Sequence, residues 1–176
     1  MTEAVTTTTS HVATRLDIAT SVPFETFCDA LESAAPRFQR GPIDDIAARG
    51  GSWDEVLAAV ARNAPHGLMI FSSLEAAPLM ATAGIATRAT GYLIGNHTIA
   101  ERMFRHDPLA LLYAPLRMLV HADDDGNAVL SLDQPSTLFG SLEDPRITAV
   151  GRELDGKVRG LLHAMGIEAH FPTDGD

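Results

Sequence analysis

The strongest structural signal in the chain is a β-hairpin near its middle. Two stretches with strand character, 111–121 and 127–132, flank a turn made of Asp123, Asp124, Asp125 and Gly126. Acidic residues favour turns, and a following glycine tolerates the positive φ that tight hairpin turns often require. The two strands are therefore predicted to be neighbours, so the fold must contain a sheet built around them.

A long amphipathic helix is predicted after this hairpin. Asp144 and Pro145 supply an N-cap and a first-turn proline. Six apolar residues then recur with helical spacing. They are Ile147, Val150, Leu154, Val158, Leu161 and Met165. Before the hairpin, apolar alternation predicts a first strand over 11–20, followed by alternating helices and strands.

The order of these elements predicts the fold class. Strands and helices alternate, and then a hairpin precedes the last helix, so we expect an α+β fold in a single domain. Its core would be a small mixed or antiparallel sheet with helices packed mainly on one face. Residues 1–10 are predicted to be a flexible N-terminal tail, and 166–176 a loose C-terminal tail.

Two local predictions concern the segment before the hairpin. The glycine- and proline-containing stretch 38–51 is predicted to be a loop. Ser52 and Glu55 have the spacing of a capping box and predict that a helix starts there. Ser72 and Glu75 have the same spacing and predict a second, short helix.

Charge and composition exclude several classes of function. The formal net charge of -10 at pH 7 would repel phosphate backbones and anionic membrane surfaces, so nucleic acids and membranes are not expected partners. Cys28 is the only cysteine, which excludes an internal disulfide and fits a reducing compartment. No apolar run is long enough to span a bilayer, and the first ten residues do not resemble a secretory signal. We therefore expect a soluble, cytoplasmic protein.

Three segments of the chain resemble the family known as domain of unknown function 302. They are 67–71, 92–96 and 107–126, and residues 11–165 can be laid along the family as one domain. The resemblance implies a compact α+β domain, often a homodimer, in which 36–64 is an inserted loop and helix. It implies no agreed activity and no cofactor. Proline commonly follows the Gly-Asn turn in that family, whereas this chain has His97.

The leading candidate for a binding site is the turn between a predicted strand and a predicted helix. Free backbone N–H groups and the positive end of the helix dipole could receive an anion there. The residues are Gly95, Asn96, His97 and Thr98, and the expected ligand is small and either anionic or apolar. In the alternative interpretation, Asn96 or Thr98 only caps the helix.

His97 and Glu101 are the candidates for catalysis or metal binding. They are four residues apart and share a helix face, which suits an acid–base pair or two metal ligands. His106 and His121 could complete a metal site only if the fold brings them close. Glu101 could instead form an ion pair with Arg105 one turn later.

Two further interpretations remain open at this stage. The same histidines could supply an axial haem ligand, with an apolar wall formed by Met103, Phe104 and Met118. Residues of these types are more often ordinary core, and no Cys-x-x-Cys-His attachment motif is present. Alternatively, 36–64 could dock a protein partner, with Trp53 as a hot spot if it is exposed.

Overall fold

The computed structural model describes residues 1–172 and contains a five-stranded sheet. Its strands are β1 (Arg15–Pro23), β2 (Met69–Glu75), β3 (Ala89–Gly95), β4 (Leu116–Ala122) and β5 (Asn127–Asp133). They lie in the order β1-β5-β4-β3-β2, and every neighbouring pair is antiparallel. The predicted α+β fold is confirmed, and the predicted hairpin is β4 and β5.

Helices pack mainly on one face of this sheet. They are α1 (Phe24–Ala34), α2 (Arg40–Ala48), α3 (Trp53–Asn63), α4 (Ala77–Ala81), α5 (His97–Phe104), α6 (Pro135–Gly140) and α7 (Pro145–Ala164), with a 3₁₀ helix at Pro108–Leu112. Among the residues described, no helix combines the length and the apolar character that a membrane span needs.

The main core lies between the helices and one face of the sheet. Along β4, Leu116, Met118 and Val120 are buried, whereas Arg117 and Leu119 are exposed on the other face. This alternation follows from the period of two of an extended strand. The packing of helices mainly on one face is therefore as predicted.

The long helix α7 confirms the second strong prediction. The Asp144 side chain accepts a hydrogen bond of 2.8 Å from the Arg146 N–H, and Pro145 occupies the first helical position. Hydrogen bonds from the Arg146 side chain hold the pKa of the Asp144 carboxyl well below its usual range. The apolar stripe that begins at Ile147 is buried in the main core.

The stretch predicted to be a loop at 38–51 contains helix α2 instead. Pro42 lies in the first turn of this helix, where its missing N–H breaks no intrahelical bond. Ile46 is buried and Ile43 is half-buried one turn earlier, so tertiary packing stabilises a segment with poor helix propensity. The capping box of Ser52 and Glu55 at the start of α3 is confirmed.

Two strand boundaries also differ from prediction. Ser72 and Glu75 do not start a helix, because β2 continues through them and pairs with β3. The backbone hydrogen bonds of that ladder replace those of a capping box. Residues 111–115 are not in a strand, since the 3₁₀ helix precedes β4.

The segment 36–64 covers the edge of the sheet at β2. The Phe38 N–H donates to the Ile70 carbonyl at 2.8 Å, and the Ile70 N–H donates to the Pro36 carbonyl at 3.1 Å. A second, small core forms beneath α3 from Val60, Ala64 and Met69, with Phe38 and Phe71 packed against it. The segment thereby places the Phe38 ring next to the start of α5.

The two ends of the described chain behave differently. Residues 1–10 are exposed and have no regular secondary structure, and β1 begins at Arg15 rather than at residue 11. The prediction of a loose segment at 166–176 is wrong for 166–172, because Phe171 is only 1% exposed and belongs to the main core. Residues 173–176 lie outside the described residues.

Candidate functional site

The candidate site lies where β3 passes into α5. Asn96 is the N-cap of this helix, and its Oδ1 accepts hydrogen bonds from the Thr98 N–H at 2.9 Å and the Thr98 hydroxyl at 2.8 Å. Its Nδ2 donates to the Gly67 carbonyl at 2.9 Å. Asn96 is therefore a structural cap, and one of the N–H groups that an anion would use already has a partner.

His97 begins α5 within a small aromatic cluster. Its ring centroid lies 4.6 Å from that of Phe38 and 4.8 Å from that of Phe71. Although part of the residue is exposed, partial burial among these rings lowers the pKa of the imidazole, since desolvation disfavours its charged form. Within residues 1–172 the imidazole nitrogens form no hydrogen bond, so a neutral donor and acceptor is available to a ligand.

Glu101 is engaged with a neighbour on its own helix. The Arg105 Nε donates to its Oε1 at 2.9 Å, and the terminal guanidinium nitrogen makes a second contact to the same oxygen. The alternative that Glu101 pairs with Arg105 is the arrangement found. No hydrogen bond forms between Glu101 and His97 in the described structure.

The histidines named as metal ligands do not converge. His97 follows the end of β3 where Ile94 pairs with Leu116, whereas His121 pairs with Ala89 at the opposite end. Five residues of strand separate these positions, or about 17 Å. In the part of the chain that the structure describes, no group of three or more His, Cys, Asp or Glu side chains could hold a metal ion. The condition under which His97, Glu101, His106 and His121 could form one metal site is therefore not met among the described residues.

The residues considered as a haem wall do not form a common surface. Met103 and Met118 are buried in the main core, whereas Phe104 is 48% exposed. The methionines are core residues, which was the simpler interpretation of their spacing.

A cavity of about 230 Å³ lies beside α5 and includes the predicted turn in its wall. Two of the residues that line the cavity, His97 and Leu111, are also exposed, so they lie where the cavity meets solvent. Asn96 and His97 supply the polar side chains of the lining. The rest of the wall consists of Phe71, Gly95, Ile99, Ala100, Met103, Leu111, Ala114, Pro115, Leu116, Phe139 and Leu154.

Of the predicted ligand-binding residues Gly95, Asn96, His97 and Thr98, the first three line this cavity. Apart from Met103, which was considered for a haem wall, its apolar residues were not identified from the sequence. Ile99 and Met103 are one turn apart on α5 and could have been found from their spacing. Phe139 and Leu154 come from α6 and α7, and no local signal links those helices to the turn.

Comparisons with known proteins agree with this fold. The family described as domain of unknown function DUF302 matches residues 46–165, which include the whole cavity lining. The crystal structure of an uncharacterized conserved protein DUF302 from Bacillus stearothermophilus is similar to this chain, with a TM-score of 0.57 and 14% sequence identity. The likeness covers 87% of this chain and 97% of that one, and shows a shared fold. No curated protein matches the sequence.

Proposed function

The chain belongs to the family described as domain of unknown function DUF302, whose description states no activity, and we propose that the cavity beside α5 binds a small, mainly apolar molecule. The observation that carries this proposal is the composition of the wall, in which only Asn96 and His97 contribute polar side chains. Concave, mostly apolar pockets with a few polar groups are typical of small-molecule sites.

The size of the cavity limits the ligand. Its volume of about 230 Å³ is below the roughly 300 Å³ at which pockets for drug-sized molecules begin. It exceeds the roughly 150 Å³ of an engineered apolar cavity that binds benzene. A molecule of one or two small rings is therefore the expected ligand.

His97 supplies a polar anchor for such a ligand. Its lowered pKa favours a neutral imidazole, which can donate one hydrogen bond and accept another. Asn96 already binds Thr98 and Gly67, so it is committed to the cap. These features favour an apolar ligand over an anionic one. We expect that ligand to carry one hydroxyl or N–H group, directed at His97.

We expect the protein to bind indole and phenol in ligand-observed NMR, and the Ala100→Phe variant to lose that binding. Ala100 lines the cavity, so the added ring would occupy the ligand's space. The matched control is Ala61→Phe, which makes the same change at an exposed position of α3. Binding by both variants, or by neither variant nor the wild type, would contradict the proposal.

The interaction hypothesis for 36–64 stays a prediction with one supporting feature. Trp53 is 45% exposed, and Leu57 one turn later is 40% exposed. The inner side of the segment pairs with β2, so only the outer surface of α3 is free for a partner.

We also propose that the protein forms a homodimer through the uncovered face of the sheet. Leu93 and Leu119 are 37% and 42% exposed there, on the adjacent strands β3 and β4. Contact between two such faces would remove these side chains from water.

Sedimentation velocity at micromolar concentration is expected to give a dimer for the wild type and a monomer for Leu119→Glu. Leu112→Glu on the 3₁₀ helix, a matched control, should remain dimeric; a monomeric wild type would disprove the proposal.

A further inference from the structure

A second hollow, of about 290 Å³, lies between the start of α2 and the end of α3, and we call it the α2–α3 cleft. It shares no lining residue with the cavity beside α5. Proline and aliphatic side chains form most of its wall, among them Pro42, Ile43 and Val60. The cleft therefore offers an apolar part of a ligand a further place out of water.

A cluster of three aromatic rings stands between the α2–α3 cleft and the cavity beside α5. Phe38 lines the cleft, whereas Phe71 and His97 line the cavity. The centroid of the Phe38 ring lies 4.6 Å from that of His97 and 5.2 Å from that of Phe71, and rings at these distances are in direct contact. Only side chains, with no main chain between them, therefore separate the two hollows at this point.

The rings of this partition are not fixed by burial or by hydrogen bonds. Phe38 and Phe71 are half-buried, and His97 is exposed. The imidazole forms no hydrogen bond with another residue of 1–172. Exposed side chains change rotamer within picoseconds to nanoseconds. A rotation of His97 towards solvent would open a path between the cleft and the cavity.

The α2–α3 cleft differs from the cavity because it carries a positive charge. Arg62 of α3 lines it, and within residues 1–172 the guanidinium forms neither an ion pair nor a hydrogen bond. None of the described residues that line the cleft is acidic, although the whole chain has a net charge of -10. An unpaired guanidinium beside an apolar wall suits a carboxylate, which it can bind through two hydrogen bonds.

We propose that the cavity and the α2–α3 cleft together bind one elongated ligand, in which an apolar ring is joined by a short alkyl chain to a carboxylate. The ring would occupy the cavity, the chain would pass between Phe38 and His97, and the carboxylate would pair with Arg62. Together the two hollows reach the roughly 300–1,000 Å³ typical of small-molecule sites, which neither reaches alone. This inference rests on the proposed function, since the ring occupies the same cavity.

NMR of isoleucine methyl groups during ligand titration tests the path between the hollows. Ile99 lines the cavity, and Ile43 lines the cleft. Indole-3-butyrate joins the ring of indole to a butyrate chain. We expect indole to shift the Ile99 signal alone, and indole-3-butyrate to shift the signals of both residues. Indole-3-butyrate should also bind roughly ten-fold more tightly than indole, because its chain buries further CH₂ groups.

Arg62→Gln tests the carboxylate end of the ligand. It should weaken the binding of indole-3-butyrate roughly two- to five-fold, the effect of losing one exposed ion pair. Binding of indole and of the neutral analogue 3-butylindole should not change. The matched control is Arg15→Gln, which removes the same charge from β1 at the opposite edge of the sheet and should leave all three affinities unchanged.

Ala100→Phe shows whether one molecule spans both hollows. It fills the cavity, so it should abolish the shift of Ile43 by indole-3-butyrate as well as that of Ile99. A shift of Ile43 that survives in this variant would show that the cleft is an independent site, and so would a shift of Ile43 by indole itself. Either result would overturn the inference.

Failure of the inference and failure of the proposed function give different results. If indole shifts Ile99 but indole-3-butyrate leaves Ile43 unmoved, the proposed function stands and the inference is overturned. Equal weakening by Arg62→Gln and Arg15→Gln would overturn the role of Arg62. If neither indole nor indole-3-butyrate binds, both the proposed function and the inference are overturned.

Discussion

Phe139→Ala is expected to lower the free energy of unfolding by about 3–5 kcal/mol. Phe139 is completely buried, and its ring packs edge-to-face on that of Tyr113, with centroids 5.9 Å apart. Truncation removes apolar contacts and leaves a void, and both effects favour the unfolded state. Domains of this kind are stable by only about 5–15 kcal/mol, so the loss is a large fraction.

The surroundings of Phe139 explain why the void would not close easily. Gly151 of α7 lies against it so closely that an added Cβ would stand 3.0 Å from the Phe139 Cβ and 3.1 Å from the Ser136 Cα. Helices α6 and α7 are thus already in close contact and cannot approach further.

Urea unfolding followed by circular dichroism measures this loss. The control is Phe104→Ala, which makes the same change at a side chain that is 48% exposed, and which should cost about 1 kcal/mol or less. Similar losses for both variants would contradict the assignment of Phe139 to the centre of the core. Because Phe139 also lines the cavity beside α5, its truncation should enlarge the site and permit larger ligands.

Asp155→Ala is expected to lower the free energy of unfolding by about 3 kcal/mol, since two hydrogen bonds to a charged group are lost. Asp155 is only 7% exposed. Its Oδ1 accepts from the Ser136 N–H at 2.9 Å, and its Oδ2 accepts from the Gln134 Nε2 at 2.9 Å. The alanine variant leaves the Ser136 N–H with no acceptor and removes one of the acceptors of the Gln134 side chain, in a largely buried junction between α6 and α7.

The conservative variant Asp155→Asn separates this hydrogen bonding from simple packing. Its amide oxygen can still accept one bond, so we expect about half the loss seen for alanine. Gln134 also donates to the Pro172 carbonyl at 2.9 Å, which links the junction to the C-terminal segment. Limited proteolysis should therefore remove that segment faster in the alanine variant than in the wild type. Equal stability of Asp155→Ala and wild type would show that this network does not stabilise the fold.

Several elements could be predicted because their signals are local. The turn at Asp123 to Gly126 joins adjacent strands, so its residues alone specify the β4–β5 hairpin. The Ser52 and Glu55 capping box and the stripe of α7 likewise depend on residues within a few turns of each other. Asn96 was identified as a possible cap for the same reason.

The errors arose where distant partners decide the conformation. Ser72 and Glu75 satisfy the capping-box pattern, yet pairing with β3 keeps them extended. The stretch 38–51 has turn-forming residues, yet burial of Ile46 stabilises a helix there. The C-terminal residues show no periodic pattern, yet Phe171 is buried in the core.

By itself, the sequence determined the α+β class, the central hairpin, the last helix and the turn at Gly95 and Asn96, because each depends on spacing over a few residues. Only the tertiary structure decided which side chains meet. It separated His97 from His121 by placing them at opposite ends of the sheet, and it brought Phe139 and Leu154 to the wall beside α5. Such contacts join residues far apart in the chain, and their energy depends on burial and distance, which local patterns do not encode.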